Sequence, residues 1–400
     1  MMAPILRVSL FTTLFLVTLS GCGGADRPAT LSLVDHPAPP GATFPDLATQ
    51  PDGTVVLSWL TPPTDDTPGR VQIARRLKSG WQPTTTVAEH ARLFVNWADF
   101  PRLGIDRTGE ILVSYSRDET RAKFGQRIQV VRGNADGTTW QSPLSLHESQ
   151  PPAEYGFVSM SPAEGLQHIA WLDGRDTVQG GTGKMQLRVL NWPTNDEASD
   201  GQLLDPDVCS CCQTAMTTTD DGMLLAYRDH TPAEIRDIAV IRQTETGWTS
   251  PAVVHDDRWK IAGCPVNGPA LDSSAQRVAL AWFTQADDQP RVKLAISEDG
   301  GRSFAEPIVL PDEDPVGRVS VRILSDGRVV VVWLRRGASN GEIVLGGIDP
   351  DGDPMEVQVL GEASPQRRSG FPRSTRVNDA LWVAWTIGGR DALKVVEVRF

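Results

Sequence analysis

Four cysteines fall in two short stretches near the middle of the chain. Three form the run Cys209-Ser-Cys211-Cys212, and Cys264 follows 52 residues later. In an oxidising compartment we expect disulfide bonding, with Cys264 bridged to one of the other three, because a bond between the adjacent Cys211 and Cys212 would be strained. The second interpretation is a metal centre built by Cys209, Cys211, Cys212 and Cys264, and the third is a redox dithiol.

A metal at this cluster would be a thiophilic ion. Thiolate ligands favour soft ions such as Cu(I), with Zn as a borderline case. Structural zinc sites usually take cysteines in pairs separated by two to four residues, whereas this chain has a C-x-C-C run starting at Cys209. The spacing therefore favours copper over zinc as the cofactor of such a centre.

Arginines form the second candidate site. They lie in or beside short predicted strands that open successive sequence repeats, at Arg102, Arg318, Arg322, Arg373 and Arg376. Side chains alternate along a strand with a period of two, so Arg318 and Arg322 are expected on one face. A cluster of guanidinium groups in an acidic protein suggests capture of a carboxylate or another anion. The candidate ligand-binding residues are Arg102, Arg318, Arg322 and Arg373.

These arginines also have a purely structural interpretation. Partly buried arginines are normally paired, and Asp99, Glu154 and Asp314 stand close to the strands in question. Pairing and anion capture both remain open. Carboxylates in other loops, such as Asp173 and Asp176, could act as general acid or base only with a partner at the right distance. No catalytic residue is therefore assigned from the sequence.

Seven aromatic residues at regular spacing define the elements that must position both candidate sites. Each closes a short apolar run, and the successive spacings are 56, 56, 56, 55, 51 and 52 residues. The seven are Trp59, Tyr115, Trp171, Tyr227, Trp282, Trp333 and Trp385. Turn signals such as Asp-Gly precede most of them, and further strand-like runs follow. The repeat predicts an all-β fold, a β-propeller of four-stranded blades with the aromatic packed between blades.

The last repeat has only three strands before the chain ends at Phe400. We predict that the segment from Thr30 to His36 supplies the missing fourth strand, which closes the ring without an exposed edge. This gives seven blades, and a six-bladed ring with one aberrant repeat is the alternative. The loop before the first strand and the loop after the second strand share one face, where the cysteine and arginine sites are both expected.

The first 22 residues are typical of a targeting segment. Arg7 provides positive charge, residues 8–19 are apolar but too short to span a bilayer, and Leu19-Ser-Gly-Cys22 resembles a bacterial lipobox. The resemblance implies acylation of Cys22, a tether over residues 23–29 and a propeller over residues 30–400. Because Gly23 rather than aspartate follows, we expect an outer-membrane lipoprotein that is held by its lipid and faces the periplasm or the exterior.

Turns between the third and fourth strands carry a second repeat. The clearest copy is Ser-x-Asp299-Gly-x-x-Ser-Phe304, and a shorter one is Asn-x-Asp136-Gly-x-x-Trp140. Both resemble the Asp-box, or bacterial neuraminidase repeat, in which the aspartate accepts backbone N–H bonds inside the turn. The chain therefore resembles the sialidase superfamily over most of its mature length.

Membership of that superfamily implies an active site on the face opposite the Asp-boxes. It would use an arginine triad, an aspartate as acid and base, and a late tyrosine nucleophile paired with a glutamate. The nearest match to the first arginine motif is Phe100-Pro101-Arg102-Leu103, with the order changed. The chain has three tyrosines and none after Tyr227. Ordinary sialidase chemistry is therefore not expected.

Net charge restricts the partners. The formal charge of −12 at pH 7 argues against nucleic acid. We expect a monomeric, lipid-anchored propeller that binds a glycan or another anionic ligand and carries a cysteine-rich centre, metal or disulfide. One alternative is an exo-acting glycoside hydrolase of the sialidase type. The other is a copper-handling or thiol-redox protein.

Overall fold

The computed structural model describes residues 29–119, 125–147, 152–163, 166–177, 183–192, 200–388 and 393–400. Within these residues, thirty strands form seven antiparallel sheets, and the helical segments are three short 3-10 turns at Arg175–Thr177, Ala286–Asp288 and Arg367–Ser369. No helix in this part of the chain is long and apolar enough to cross a membrane. The predicted signal segment and Cys22 lie outside the described residues.

The first three blades follow the N-terminal strand β1 (Thr30–Leu33). Blade 1 comprises β2 (Thr43–Thr49), β3 (Val55–Thr61), β4 (Gly69–Leu77), β5 (Gly80–Trp81) and β6 (Thr85–His90). Blade 2 comprises β7 (Arg102–Ile105), β8 (Ile111–Asp118), β9 (Gln126–Gly133) and β10 (Leu144–Ser145). Blade 3 comprises β11 (Tyr155–Ala163), β12 (Leu166–Asp173), β13 (Gln186–Trp192) and β14 (Gln202–Asp205).

The remaining blades repeat this plan. Blade 4 comprises β15 (Ala215–Thr219), β16 (Gly222–Arg228), β17 (Ile238–Thr244), β18 (Gly247–Trp248) and β19 (Ala252–Val253). Blade 5 comprises β20 (Ala270–Ser274), β21 (Arg277–Thr284), β22 (Arg291–Ser297) and β23 (Ile308–Val309). Blade 6 comprises β24 (Pro315–Ile323), β25 (Val329–Arg336), β26 (Gly341–Ile348) and β27 (Gln358–Ala363). Blade 7 comprises β28 (Arg373–Val377), β29 (Ala380–Thr386) and β30 (Leu393–Arg399), with β1 as its outer strand.

The seventh blade closes the ring. Strand β1 pairs antiparallel with β30, with Thr30 opposite Arg399 and Leu33 opposite Val396. The predicted N-terminal closing strand and the seven-bladed count are therefore confirmed, and the six-bladed alternative is wrong. Closure of this kind joins an N-terminal strand and the last strand in one sheet.

The repeated aromatic residues pack between blades, as predicted. All seven are buried, with at most 7% of their surface exposed. Four of them also donate a hydrogen bond to the outer part of the preceding blade. These pairs are Tyr227 with Asp205 (2.6 Å), Trp282 with Asp257 (2.7 Å), Trp333 with Asp312 (2.5 Å) and Trp385 with the Glu362 carbonyl (3.0 Å). The aromatic position thus supplies apolar area and a polar link between neighbouring sheets.

The Asp-box turns have the expected local geometry. The Asp299 carboxylate accepts bonds from the Ser303 backbone N–H (2.9 Å) and hydroxyl (2.6 Å), and the Ser303 side-chain bond is the main reason that its pKa falls to about 2. In the second copy, the Trp140 ring lies on Gly133, where a Cβ atom would meet it at 2.8 Å. These turns are structural, and they mark the face that carries the hairpins between first and second strands.

Candidate functional site

A cavity of about 540 Å³ lies on the axis of the ring and is lined by the first strand of every blade. Its upper end is where the chain enters these strands, and its lower end is at the hairpins that leave them, on the Asp-box side. The charged residues of its lining are Asp46, Arg102, Asp272, Arg322, Arg373 and Arg376. Three of the four predicted ligand-binding arginines therefore meet in one cavity, and Arg376 joins them.

Asp46, on blade 1, organises the arginines of blades 2 and 7. Its carboxylate accepts from Arg102 Nε at 2.9 Å, from Arg373 Nε at 2.8 Å and from the Leu103 backbone N–H at 3.0 Å. Burial opposes ionisation of this carboxyl, but the two guanidinium groups and the backbone donor outweigh it and hold its pKa at about 2. Asp46 is therefore ionised at neutral pH.

The pairing of Arg102 differs from the structural alternative drawn from the sequence. Its partner is Asp46, whereas Asp99 accepts the Phe157 backbone N–H at 2.7 Å and Asp314 pairs with Arg336 at 2.8 Å. Asp46 was not among the carboxylates considered. A signal for it exists, because Phe44-Pro-Asp46 repeats the pattern of Phe100-Pro-Arg102 and Phe371-Pro-Arg373.

Arg322 and Arg376 line the same side of the cavity without a carboxylate salt bridge in the described structure. Arg322 donates to the backbone carbonyls of Val321 (2.6 Å) and Ser374 (2.5 Å), and Arg376 donates to that of Ile323 (2.7 Å). Each guanidinium has five N–H donors. Both groups thus keep donors that a ligand in the cavity could use.

Hydroxyl groups form the opposite wall, on blades 3, 4 and 5. Thr214 donates to Ser159 at 2.7 Å, Ser161 contacts Thr218 at 3.1 Å, and Thr217 contacts Ser273 at 2.7 Å. Each pair joins neighbouring blades. The cavity therefore has one wall rich in arginine and one wall of hydroxyl groups, on which Asp272 of blade 5 is the charged lining residue.

Aromatic rings close the upper end of the cavity; we name Phe44, Trp97, Phe100 and Phe371 the aromatic plug. Phe100 lies 6.4 Å from Phe44 and 5.7 Å from Phe371, and Trp97 stacks on Phe371 at 6.2 Å. Gln213 Nε2 donates to the Ala98 carbonyl at 2.6 Å and so ties the blade 4 loop to the loop before blade 2. Loops from across the ring thus meet over the axis.

Arg318 belongs to this plug rather than to the cavity, which corrects the prediction that it shares a face with Arg322. Arg318 has φ of 58°, and the register of β24 shifts between Gly317 and Ser320. The bulge breaks the alternation on which the prediction depended. The Arg318 guanidinium instead lies 4.7 Å from the Trp97 ring and donates to Ser369 Oγ (2.8 Å) and the Gly370 carbonyl (3.0 Å).

The accessible end of the cavity is also not the expected one. At the upper end, Phe371, Gln213 and Thr214 are 6%, 7% and 2% exposed. At the lower end, Thr49 and Arg376 are among several lining residues that are only partly buried. The arginine cavity therefore opens on the Asp-box side, whereas the sequence analysis placed it on the opposite face.

The cysteines do lie at the upper face, and the structure brings all four together. Cys209 and Cys212 are disulfide-bonded, with 5.9 Å between their Cα atoms. Cys211 is buried, with its Sγ 4.0 Å from that of Cys209, and Cys264 is exposed, with its Sγ 3.8 Å from Ser210 Oγ. A hydrogen bond from the Cys211 thiol is the main cause that lowers the pKa of Cys264 to about 6.

The bridge differs from the disulfide pairing that was expected from the sequence. Cys264 is not part of it, and the bridged cluster offers two thiols instead of the four that a metal centre of Cys209, Cys211, Cys212 and Cys264 supposes. The sulfurs of Cys209, Cys211 and Cys212 lie within 4.8 Å of one another, so three of the predicted ligands are close enough to share an ion. Cys209 and Cys212 could bind it as thiolates only after their disulfide is reduced.

Comparison with known proteins supports the fold and leaves the activity open. No family model and no curated protein matches the chain. Among solved structures, a Dyadobacter fermentans protein of unknown function is 15% identical, with a TM-score of 0.54, over 94% of this chain and 99% of that one. An α-L-arabinanase from Penicillium chrysogenum is 12% identical with a TM-score of 0.48, over 92% and 96%.

A sialidase from Trypanosoma rangeli is 12% identical with a TM-score of 0.47, over 90% of this chain and 55% of that one. At such identities the likeness concerns the fold alone. The seven four-stranded blades confirm the predicted β-propeller, and the Asp-box turn at Asp299 has the backbone hydrogen bond expected of that motif. The cavity lining contains no tyrosine, histidine or glutamate among the described residues.

Proposed function

We propose that this protein is an envelope lipoprotein that binds a small anion, carrying a carboxylate or a similar oxyanion, in the axial cavity. The observation that carries the proposal is the charge of the lining, which has four arginines against the two carboxylates Asp46 and Asp272. A net positive cavity of this size, with guanidinium donors left over, suits a sugar acid or another molecule of that size.

The cavity supports binding rather than hydrolysis. A glycosidase needs a proton donor and a nucleophile or base on the two sides of the scissile bond. Asp46 is held ionised by Arg102 and Arg373 and cannot donate a proton at neutral pH. Asp272 accepts the Ile323 backbone N–H at 2.8 Å. With no tyrosine, histidine or glutamate in the described lining, the acid and nucleophile of a sialidase have no counterpart here.

Isothermal titration calorimetry would test the binding. The chain from Gly23, which contains every described residue, is titrated with N-acetylneuraminate, glucuronate, sulfate and phosphate, and with a neutral methyl ester as control. We expect at least one anion to bind and its ester not to bind, with affinity falling as salt rises.

Two matched substitutions locate the site. Arg322→Gln and Arg376→Gln are each expected to weaken binding about tenfold, whereas Arg302→Gln, at an exposed Asp-box turn, should leave it unchanged. Equal affinity in all three variants would contradict the cavity as the site. Steady release of aryl alcohol from an aryl glycoside would favour the hydrolase instead.

The lipid anchor is a separate part of the proposal. It rests on the lipobox at Cys22. Cys22→Ala should move the protein from the membrane fraction to the soluble envelope fraction and abolish incorporation of labelled palmitate. Unchanged fractionation and labelling would show that the segment is not a lipoprotein signal.

A further inference from the structure

The cysteine cluster contains a thiol pair that the anion site does not use. Cys211 lies in the loop before β15 and Cys264 in the loop before β20, so that the pair spans the neighbouring blades 4 and 5. Cys211 is buried and Cys264 is exposed. Ser210 Oγ, on the residue before Cys211, lies 3.8 Å from the Cys264 sulfur, and neither free thiol takes part in the Cys209–Cys212 bridge.

The two thiols differ in access, and this decides what each could do. Only Cys264 can be approached from solvent. Its loop is fixed by Arg236, whose Nε donates to the Ile261 carbonyl at 3.1 Å, and Ser210 Oγ lies 3.8 Å from the Cys264 sulfur. An exposed cysteine beside a buried one is the arrangement of a dithiol in which the first attacks and the second resolves.

We propose that Cys264 and Cys211 form a dithiol that reduces disulfide-bearing substrates, with Cys264 as the attacking residue and Cys211 as the resolving one. The carrying observation is that one exposed and one buried free thiol lie on loops of neighbouring blades, which meet where Ser210 contacts the Cys264 sulfur. This activity is independent of the anion bound in the cavity, because the cysteines lie at the upper face, beyond the aromatic plug.

The thiol–disulfide exchange needs no reactant other than the substrate disulfide. The Cys264 thiolate attacks one sulfur of the substrate disulfide, that S–S bond breaks, and the leaving thiolate takes up a proton. Cys211 then loses its proton and attacks the Cys264 sulfur of the mixed disulfide, which releases the second substrate sulfur as a thiol. Two electrons have passed from the protein to the substrate, and the protein holds a Cys211–Cys264 disulfide.

Reaction with the aromatic disulfide DTNB tests the proposal. The background variant carries Cys209→Ala and Cys212→Ala, so that after reduction and desalting only Cys211 and Cys264 remain in the chain from Gly23. A dithiol should release two thionitrobenzoates and keep no adduct. Adding Cys211→Ser should give one thionitrobenzoate and a stable adduct on Cys264, and adding Cys264→Ser should slow the reaction at least tenfold.

The opposite results would overturn the proposal. A stable adduct on the background variant, or the same two equivalents after Cys211→Ser, would show that Cys211 does not resolve. If the background variant loses its β-sheet circular dichroism, Cys211→Ala alone gives a second measurement. With Cys209–Cys212 still paired, mass spectrometry after DTNB should find one adduct on Cys264, and its absence would exclude Cys264 as the attacking thiol.

Discussion

The two ends of the propeller axis contain the same residue types and treat them differently. In the cavity, Asp46 is ionised and joins Arg102 and Arg373, and its pKa is about 2. At the plug, Asp99 is also buried, but its fixed partner is one backbone N–H, and burial raises its pKa to about 7. A buried carboxyl keeps its charge only where cations are supplied.

The arginines show the same contrast. Arg373 is held by a carboxylate, whereas Arg318 is held by carbonyl and hydroxyl oxygens and by the face of Trp97. Burial lowers the pKa of Arg318 to about 10, which still leaves it charged at neutral pH. The cavity is thus built for an anion, while the plug above it is built to be closed.

Among the substitutions that test this difference between the cavity and the plug, Asp46→Asn is expected to have the largest effect on stability. The substitution leaves two guanidinium groups facing each other without their carboxylate, so the free energy of unfolding should fall by about 3 kcal/mol. Urea unfolding followed by circular dichroism measures it. Asp99→Asn is the matched control and should not lower stability at pH 7, since the amide replaces a carboxyl whose ionisation is opposed by burial. Similar losses in both variants would show that the two ends do not differ.

The pH dependence of stability sharpens the same contrast. The pKa of Asp99 is raised in the folded state, so its contribution is present below about 4 and is lost as pH rises towards about 7. Across that window, Asp99→Asn should gain stability relative to the wild type by about 4 kcal/mol. Asp46 has the opposite pH dependence, because its contribution to stability is lost as pH falls from about 4 to about 2. Unfolding curves at several pH values, compared between variants, measure both; a flat difference for Asp99→Asn would contradict its raised pKa.

Much of the fold was predictable from the sequence because the information is local and repeated. Seven aromatic positions, turn signals before them and a closing segment at Thr30 define seven sheets and their connection. The positions of Arg102 and Arg373 on the cavity wall were predictable because both residues lie in the first strands of their repeats, which line the axis. Asp46 could have been added by aligning the three Phe-Pro segments, which place all three residues at equivalent positions.

The remaining features depend on contacts that are distant in sequence. A positive φ at a non-glycine residue such as Arg318 is maintained by its surroundings, so the resulting change of face has no local signal. The closed upper end depends on Trp97 meeting Phe371 and on Gln213 reaching Ala98 from another blade. The pairing of Cys209 with Cys212 likewise could not be deduced from spacing alone.

A smaller effect is expected from Arg318→Gln, which tests whether the plug is separate from the binding site. The shorter side chain loses the bonds to Ser369 and Gly370 and the contact with Trp97, so the free energy of unfolding should fall by about 2 kcal/mol. Anion affinity should stay within about twofold of the wild type, because Arg318 does not line the cavity. A loss of affinity comparable to that of Arg322→Gln would mean that the two ends act as one site.

The smallest effect is expected from Trp97→Phe. The new ring can still stack on Phe371, but it covers less of the Arg318 and Arg367 guanidinium groups, which lie 4.7 and 5.7 Å from the indole. Thermal unfolding should report a loss of about 1 kcal/mol. The informative quantity is the association rate of the anion, measured by stopped flow. If the ligand enters only from the Asp-box side, loosening the plug leaves the association rate unchanged. A faster association would show that the ligand also enters through the upper end, because a weaker plug can speed binding only along a path that the plug blocks.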